Sequence, residues 1–235
     1  REAGLSPMGE VTVWRQVVQF LKNRLLVEEE FKRRPEIADE VIDRPVVIAG
    51  LPRTGTTHLH NLISSDPRLH SLPWWESLEP LPPLVEAEGD FEVDPRWHRA
   101  AEGIAMRDRF MPHFKCMHDM WPDHAHEEIH LLAIAGSTMF FETLAPSESW
   151  REYYCGTDQT PWYRYMRRVL QVIQSRRPSS GRWILKSPQH LEQFAPLNRI
   201  FPDATFVVTH RDPVSITASF ATMATYSARL SQRVV

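Results

Sequence analysis

An α/β fold around a parallel sheet is what this sequence predicts, from three observations. Short apolar or β-branched runs, "RPVVIAG", "RWILKS" and "ATFVVTH", alternate with stretches of helical periodicity. The first run shows no polar alternation, as expected of a strand buried on both faces. It also ends in a glycine loop, "AGLPRTGTTH", that opens onto a helix. The chain's 235 residues, 42% hydrophobic and 24% charged, suffice for one domain, 1–235, with a sizeable core.

The elements follow in order. Residues 11–33 place Val13, Val17, Phe20, Leu21 and Leu25 at helical spacing. Val46 to Ala49 form the first strand, and periodicity resumes after the loop through Leu59, Leu62 and Ile63. Residues 66–125 are rich in proline and aromatics and read as loops with short helices. Two longer helices are expected near 126–142 and 159–177. After Gly181 comes the strand "RWILKS", and then a helix start with Ser187 as cap and Pro188 at the first position. The strand "ATFVVTH" is followed by a helix capped by Asp212, with Pro213 next.

A net charge of −3 gives no reason to expect nucleic acid or an anionic membrane as partner, so any basic site is local. Cys116 and Cys155 are too few for a disulfide framework and fit a reducing, cytoplasmic compartment. No apolar run reaches the roughly 18 residues of a membrane span. Opening at Arg1 and stopping at Val235 just after a helical pattern, the chain reads as a fragment of a longer polypeptide.

The loop is the first candidate site. Gly50, four residues, Gly55 and then two threonines nearly match G-x-x-x-x-G-K-[ST], but Thr56 stands where the lysine belongs. Successive backbone N–H groups opening onto a helix N-terminus hold an anion. Without the lysine, Mg²⁺-dependent γ-phosphate transfer loses its charge clamp, which disfavours a P-loop kinase. Arg53 supplies charge from inside the loop, so the anion expected there needs no metal. A nucleotide-binding module without catalysis is the other alternative.

"PRTGTTH" resembles the 5′-phosphosulfate loop of sulfotransferases that use 3′-phosphoadenosine 5′-phosphosulfate (PAPS). "HRDPVSITASF" resembles their 3′-phosphate segment, with Arg211 and Ser219 at the family's spacing of eight. "RWILKSPQHL" is similar to the lysine-bearing strand end of the bacterial, carbohydrate and tyrosylprotein branches. The resemblance implies a P-loop-like three-layer fold with a central parallel sheet. The nucleotide-binding core would be 44–79 and 181–222, with a helical acceptor-side insert at 80–180. It implies sulfonate transfer from PAPS, as co-substrate, to a hydroxyl or amine.

By the same resemblance Arg53, Thr54, Gly55, Thr56, Thr57 and His58 contact the donor, and Arg211 and Ser219 hold the 3′-phosphate. Lys186 stabilises charge on the sulfonate or bridging oxygen. Arginine at 53 keeps the charge of the usual lysine but cannot donate a proton to the leaving group. Glu76, flanked by Trp74 and Trp75 and thus open to desolvation, is the expected base, with Glu79 and His190 as alternates.

"HAHEEIHLLA" contains His126-Glu127-Glu128-Ile129-His130, which formally matches the zinc motif H-E-x-x-H. Position 133 is Ala and 136 is Gly, so the extended motif is absent, and acidic residues at a helix N-terminus explain the pattern equally. Trp97, Trp121, Trp150 and Trp162 are expected either in the core or lining an acceptor pocket. The acceptor itself, a small molecule, lipid or carbohydrate, has no motif in the insert.

Overall fold

The computed structural model describes residues 2–177 and 181–233; the termini Arg1 and Val235 lie outside them. In chain order the elements are α1 (Pro7–Arg33), a 3₁₀ turn (Pro35–Asp39), β1 (Val46–Ala49), α2 (Thr56–Ser64), β2 (Leu69–His70) and α3 (Trp74–Leu78). Then come α4 (Pro95–Phe110), α5 (Phe114–Met117), α6 (Ile129–Ala135), α7 (Phe140–Leu144), α8 (Glu148–Gly156) and α9 (Thr160–Arg176). Last are β3 (Arg182–Lys186), α10 (Gln189–Glu192), α11 (Phe194–Ile200), β4 (Thr205–Val208) and α12 (Pro213–Ala228).

Local chemistry accounts for most boundaries. Helix α1 starts four residues earlier than the apolar period alone indicates, because Ser6 caps Gly9 N–H at 3.1 Å and Pro7 follows. Asp212 caps α12 through Ser215 N–H at 2.8 Å, as its sequence predicts. The prolines and aromatics at 66–125 conceal a four-turn helix, α4, capped by Asp94 and opened by Pro95. The long helix expected over 126–142 does not form. Gly136 takes φ 110° and closes α6 after seven residues, and α6 begins only at Ile129. Likewise the helix after Ser187 is split into α10 and α11 at Gln193.

The four strands are all parallel, in the order β2-β3-β1-β4. Register pairs Ile48 with Lys186 and Ala49 with Val208, so three strands end together on one edge of the sheet. That edge receives the loop after β1, the start of α10 and the turn into α12. Ligands bind at this edge of open α/β sheets.

Alternation along the strands makes three layers. Val47, Trp183 and Leu185 join the main core with Leu170 and Ile173 of α9, Leu197 and Ile200 of α11, and Val27 of α1. Ile48 and Ile184 are fully buried on the opposite face, against which α2 packs. β4 is an edge strand, with Thr205 and Val208 exposed. No helix among the described residues is long and apolar enough to cross a membrane.

Trp183 anchors the core: it is 1% exposed, stacks on His70 and donates Nε1–H to Gln174 Oε1 at 2.9 Å. We expect Trp183→Ala to cost about 3–5 kcal/mol by leaving a cavity and an orphaned amide oxygen. A shift of the urea midpoint measures this; a loss under 1 kcal/mol would contradict the packing described.

Candidate active site at the strand ends

The loop after β1 is shaped before any ligand binds. Gly55, at φ 87°, is the N-cap of α2, a conformation in which a side chain would be strained. Gly50 has no room for a Cβ, because the Thr209 hydroxyl from the end of β4 presses against it. Thr54 Oγ1 donates to the Leu51 carbonyl at 2.7 Å and lies 2.7 Å from Thr209 Oγ1. Thr56 is buried under the loop, Thr57 is half-buried, and Gly55 and His58 are exposed.

Arg53 takes φ 74° although it is not glycine. The left-handed backbone costs a residue with a Cβ about 1–2 kcal/mol, and the side chain is correspondingly well held. Nε donates to Ser219 Oγ at 3.0 Å and Nη1 to the Met117 carbonyl at 2.7 Å. Arg211 Nη1 donates to the Arg53 carbonyl at 3.0 Å. Three residues assigned from the sequence to the donor, 166 positions apart at the widest, are thereby joined in one contact set. His58 is on the first turn of α2 with its side chain in solvent.

Lys186 ends β3 and is 1% exposed. Its Nζ donates to Thr57 Oγ1 at 3.3 Å and forms a short ion pair with Glu127. The adjacent Glu128, fully buried, accepts the Lys186 backbone N–H at 2.9 Å. Glu128 also meets His190 Nε2 at 3.2 Å, and His190 Nδ1 lies 3.0 Å from the Tyr163 hydroxyl. His190 is thus engaged on both nitrogens in the core. In the sequence both carboxylates, in "HEEIH", read as acidic residues at a helix N-terminus or, formally, as part of a zinc motif, and Glu128 is indeed the N-cap of α6. From just before α6 they turn onto the end of β3, where both meet Lys186.

Imidazoles surround this pair. Burial, then the Lys186 charge, lowers His60 to about 3. Burial also lowers His130 to about 4, holds His126 well below the ordinary value and lowers His118. The His126 and His130 rings stack at 5.0 Å. All four are therefore neutral near pH 7.

The structure does not bring Glu76 to this cluster. Glu76 is 4% exposed, and its carboxylate lies 2.6 Å from Arg177 Nη2, an ion pair without hydrogen-bond alignment. Burial raises its pKa, as its tryptophan neighbours predict, and Arg177 and Arg96 oppose that rise. The same helical turn points Trp74 at His126 and Ser77 at His130, so Glu76 occupies the other side of α3. Glu79 is held by Arg99 at 2.8 Å.

Of the four tryptophans, Trp162 packs against the core and Trp150 meets Phe141 edge-on. Trp97 donates to Asp123, and Trp121 is 61% exposed. A cavity of about 530 Å³, lined by Leu26, Glu30, Arg34, Leu81 and Arg176 among others, shares no residue with the strand-end cluster.

The histidines give a pH prediction. His60 and His130 bind protons more weakly folded than unfolded, where imidazole titrates near 6.5. Their contribution to stability is complete above pH 6.5 and is lost as pH falls toward 4 and 3. At pH 5 each should cost about 2 kcal/mol. Urea unfolding at pH 7.5 and 5 checks this, and equal midpoints would mean that these rings are not buried as described.

Residues 45–234 match the sulfotransferase family. The chain is 29% identical over 192 residues to omega-hydroxy-beta-dihydromenaquinone-9 sulfotransferase Stf3 of Mycobacterium bovis, covering 78% of this chain and 45% of that protein. The crystal structure of sulfotransferase STF1 from Mycobacterium tuberculosis H37Rv superposes with a TM-score of 0.80 at 32% identity, covering 95% of this chain and 60% of that one. The structure of sulfotransferase STF9 from Mycobacterium avium gives 0.81 at 27%, covering 98% of this chain and 58% of that one. This chain therefore spans less than half the length of the curated relative and about three fifths of the solved ones. The parallel α/β architecture expected from the strands, P-loop-like as the resemblance implies, is the one observed, and the chain belongs to the sulfotransferase family.

Proposed function

We propose that this chain carries the donor site of a PAPS-dependent sulfotransferase, moving a sulfonate from PAPS to an acceptor hydroxyl. The observation that carries the reading is the Arg53–Ser219–Arg211 contact set beside the open N-terminus of α2. Two guanidiniums and a hydroxyl gathered near a helix N-terminus that no side chain caps support a site for the phosphates of a nucleotide. The family membership of the chain agrees with it.

In this reading the backbone N–H groups of Gly55 to Thr57 and the threonine hydroxyls hold the 5′-phosphosulfate. Arg53 adds fixed positive charge, and Arg211 with Ser219 takes the 3′-phosphate. Transfer is in line: the acceptor oxygen attacks sulfur while the bond from sulfur to the phosphate oxygen breaks. Lys186, which touches Thr57, would neutralise charge growing on that oxygen. Arg53 stays protonated throughout, so the nucleotide leaves as the anion. Residues 80–180 would form the acceptor side. The relative's name states an ω-hydroxylated menaquinone as its substrate, and we propose a hydroxylated, lipid-like acceptor here as the first to test.

Titration with 3′-phosphoadenosine 5′-phosphate (PAP) in EDTA tests the donor site. We expect micromolar binding without metal, weaker binding of ATP, and a loss of about 10–100-fold in Arg211→Ala. Lys186→Ala should lower turnover by about 100–1,000-fold. A folded protein that ignores PAP, or that binds ATP better and only with Mg²⁺, refutes the reading.

A further inference from the structure

We infer that Glu127 is the catalytic base that takes the acceptor's proton, an assignment that rests on the donor site proposed above. The reaction needs a carboxylate or imidazole beside the sulfonate, and Glu127 is the carboxylate that meets the Lys186 ammonium. Through that single nitrogen it is tied to Thr57, the last threonine of the loop. The expected base, Glu76, is instead paired with Arg177.

The pair is asymmetric in a way that suits the role. Lys186 is 1% exposed, whereas Glu127 is 17% exposed, so the face of the pair that solvent reaches is the carboxylate. An acceptor arriving from solvent meets Glu127 first, with the ammonium and the loop behind it. The backbone at Glu127 is fixed by its neighbour, because Glu128 is clamped by the Lys186 N–H and His190. A buried ion pair is expensive to desolvate and seldom adds net stability, so a short pair at a strand end points to chemistry.

The groups facing Glu127 are Lys186, His118 and His130, with His126 next to it in sequence. Burial keeps the three imidazoles neutral, leaving the Lys186 ammonium as the charge in contact with the carboxylate. When the donor binds, the ammonium turns toward the oxygen bridging sulfur and phosphorus, and Glu127 is free to accept a hydrogen bond from the acceptor hydroxyl. The proton passes to the Glu127 carboxylate as the new oxygen–sulfur bond forms. The electron pair of the breaking sulfur–oxygen bond stays on the phosphate of PAP. Glu127 then returns its proton to water.

The test compares wild type, Glu127→Gln, Glu127→Asp and Glu76→Gln by PAP calorimetry and by single-turnover transfer from PAPS between pH 5.5 and 9. The acceptors are an ω-hydroxylated isoprenoid in detergent, a phenol and a hexose. We expect Glu127→Gln to bind PAP within about threefold of wild type, because Lys186 and the loop remain. Its transfer rate should fall at least 100-fold, with part of the rate restored in Glu127→Asp. If Glu127→Gln loses PAP binding in parallel with rate, the pair only positions Lys186 and the inference fails. If it keeps the rate, the base lies elsewhere; a selective loss in Glu76→Gln would place it there. Wild type that binds PAP yet transfers to none of the acceptors overturns the proposed function, and this inference falls with it.

Discussion

Lys186 is held from both ends, and the site is organised around that hold. Glu128 takes its backbone N–H and Glu127 its ammonium, so two consecutive residues before α6 lock a helical segment onto the end of β3. Because β3 pairs with β1 in register, Ile48 beside Lys186, the same lock fixes the insert relative to the loop. The Lys186–Thr57 contact closes the circuit from insert to strand to loop. A charge this deeply buried is tolerated only when paired, and the carboxylates supply that pairing at a point where the fold also needs a joint.

The loop shows how a strained backbone is retained. Arg53 sits at a positive φ that favours glycine, yet three contacts over-determine it: Ser219, the Met117 carbonyl, and Arg211 on its own carbonyl. Strain of this kind persists where the surroundings pin it, and it clusters at ligand-binding turns. Gly50, pressed by the Thr209 hydroxyl, gives the complementary case, in which the close approach of two strand ends leaves no space for a side chain.

Three glutamates illustrate how burial and charge sort carboxylates of equal intrinsic chemistry. Glu76 and Glu128 are both buried, but each is consumed, one by Arg177 and the other by a backbone N–H and His190. Glu127 keeps partial access to water while touching the ammonium. Desolvation alone, the feature that tryptophan neighbours signal in sequence, therefore does not tell these carboxylates apart. What distinguishes the candidates is the partner and the opening to solvent.

The sequence by itself determined the parallel α/β class, the strand at Val46–Ala49, the cap at Asp212, and the glycine loop with its missing lysine; Ser187, expected as a cap, gives way to Pro188 at the N-cap of α10. These rest on local rules: β-branched runs, proline at the first helical turn, and glycine where the backbone turns left-handed. Arg53, Arg211 and Ser219 were singled out because a motif carries its own spacing, and the fold brings these three into contact. Only the tertiary structure decided that Gly136 interrupts the expected helix, that Asp94 and Pro95 open a long one amid prolines, and that Glu127 meets Lys186 while Glu76 meets Arg177. Glu127 and Lys186 are 59 positions apart, and no periodicity within either segment encodes their contact. It arises from the order in which parallel strands pair and from the cost of burying a charge alone.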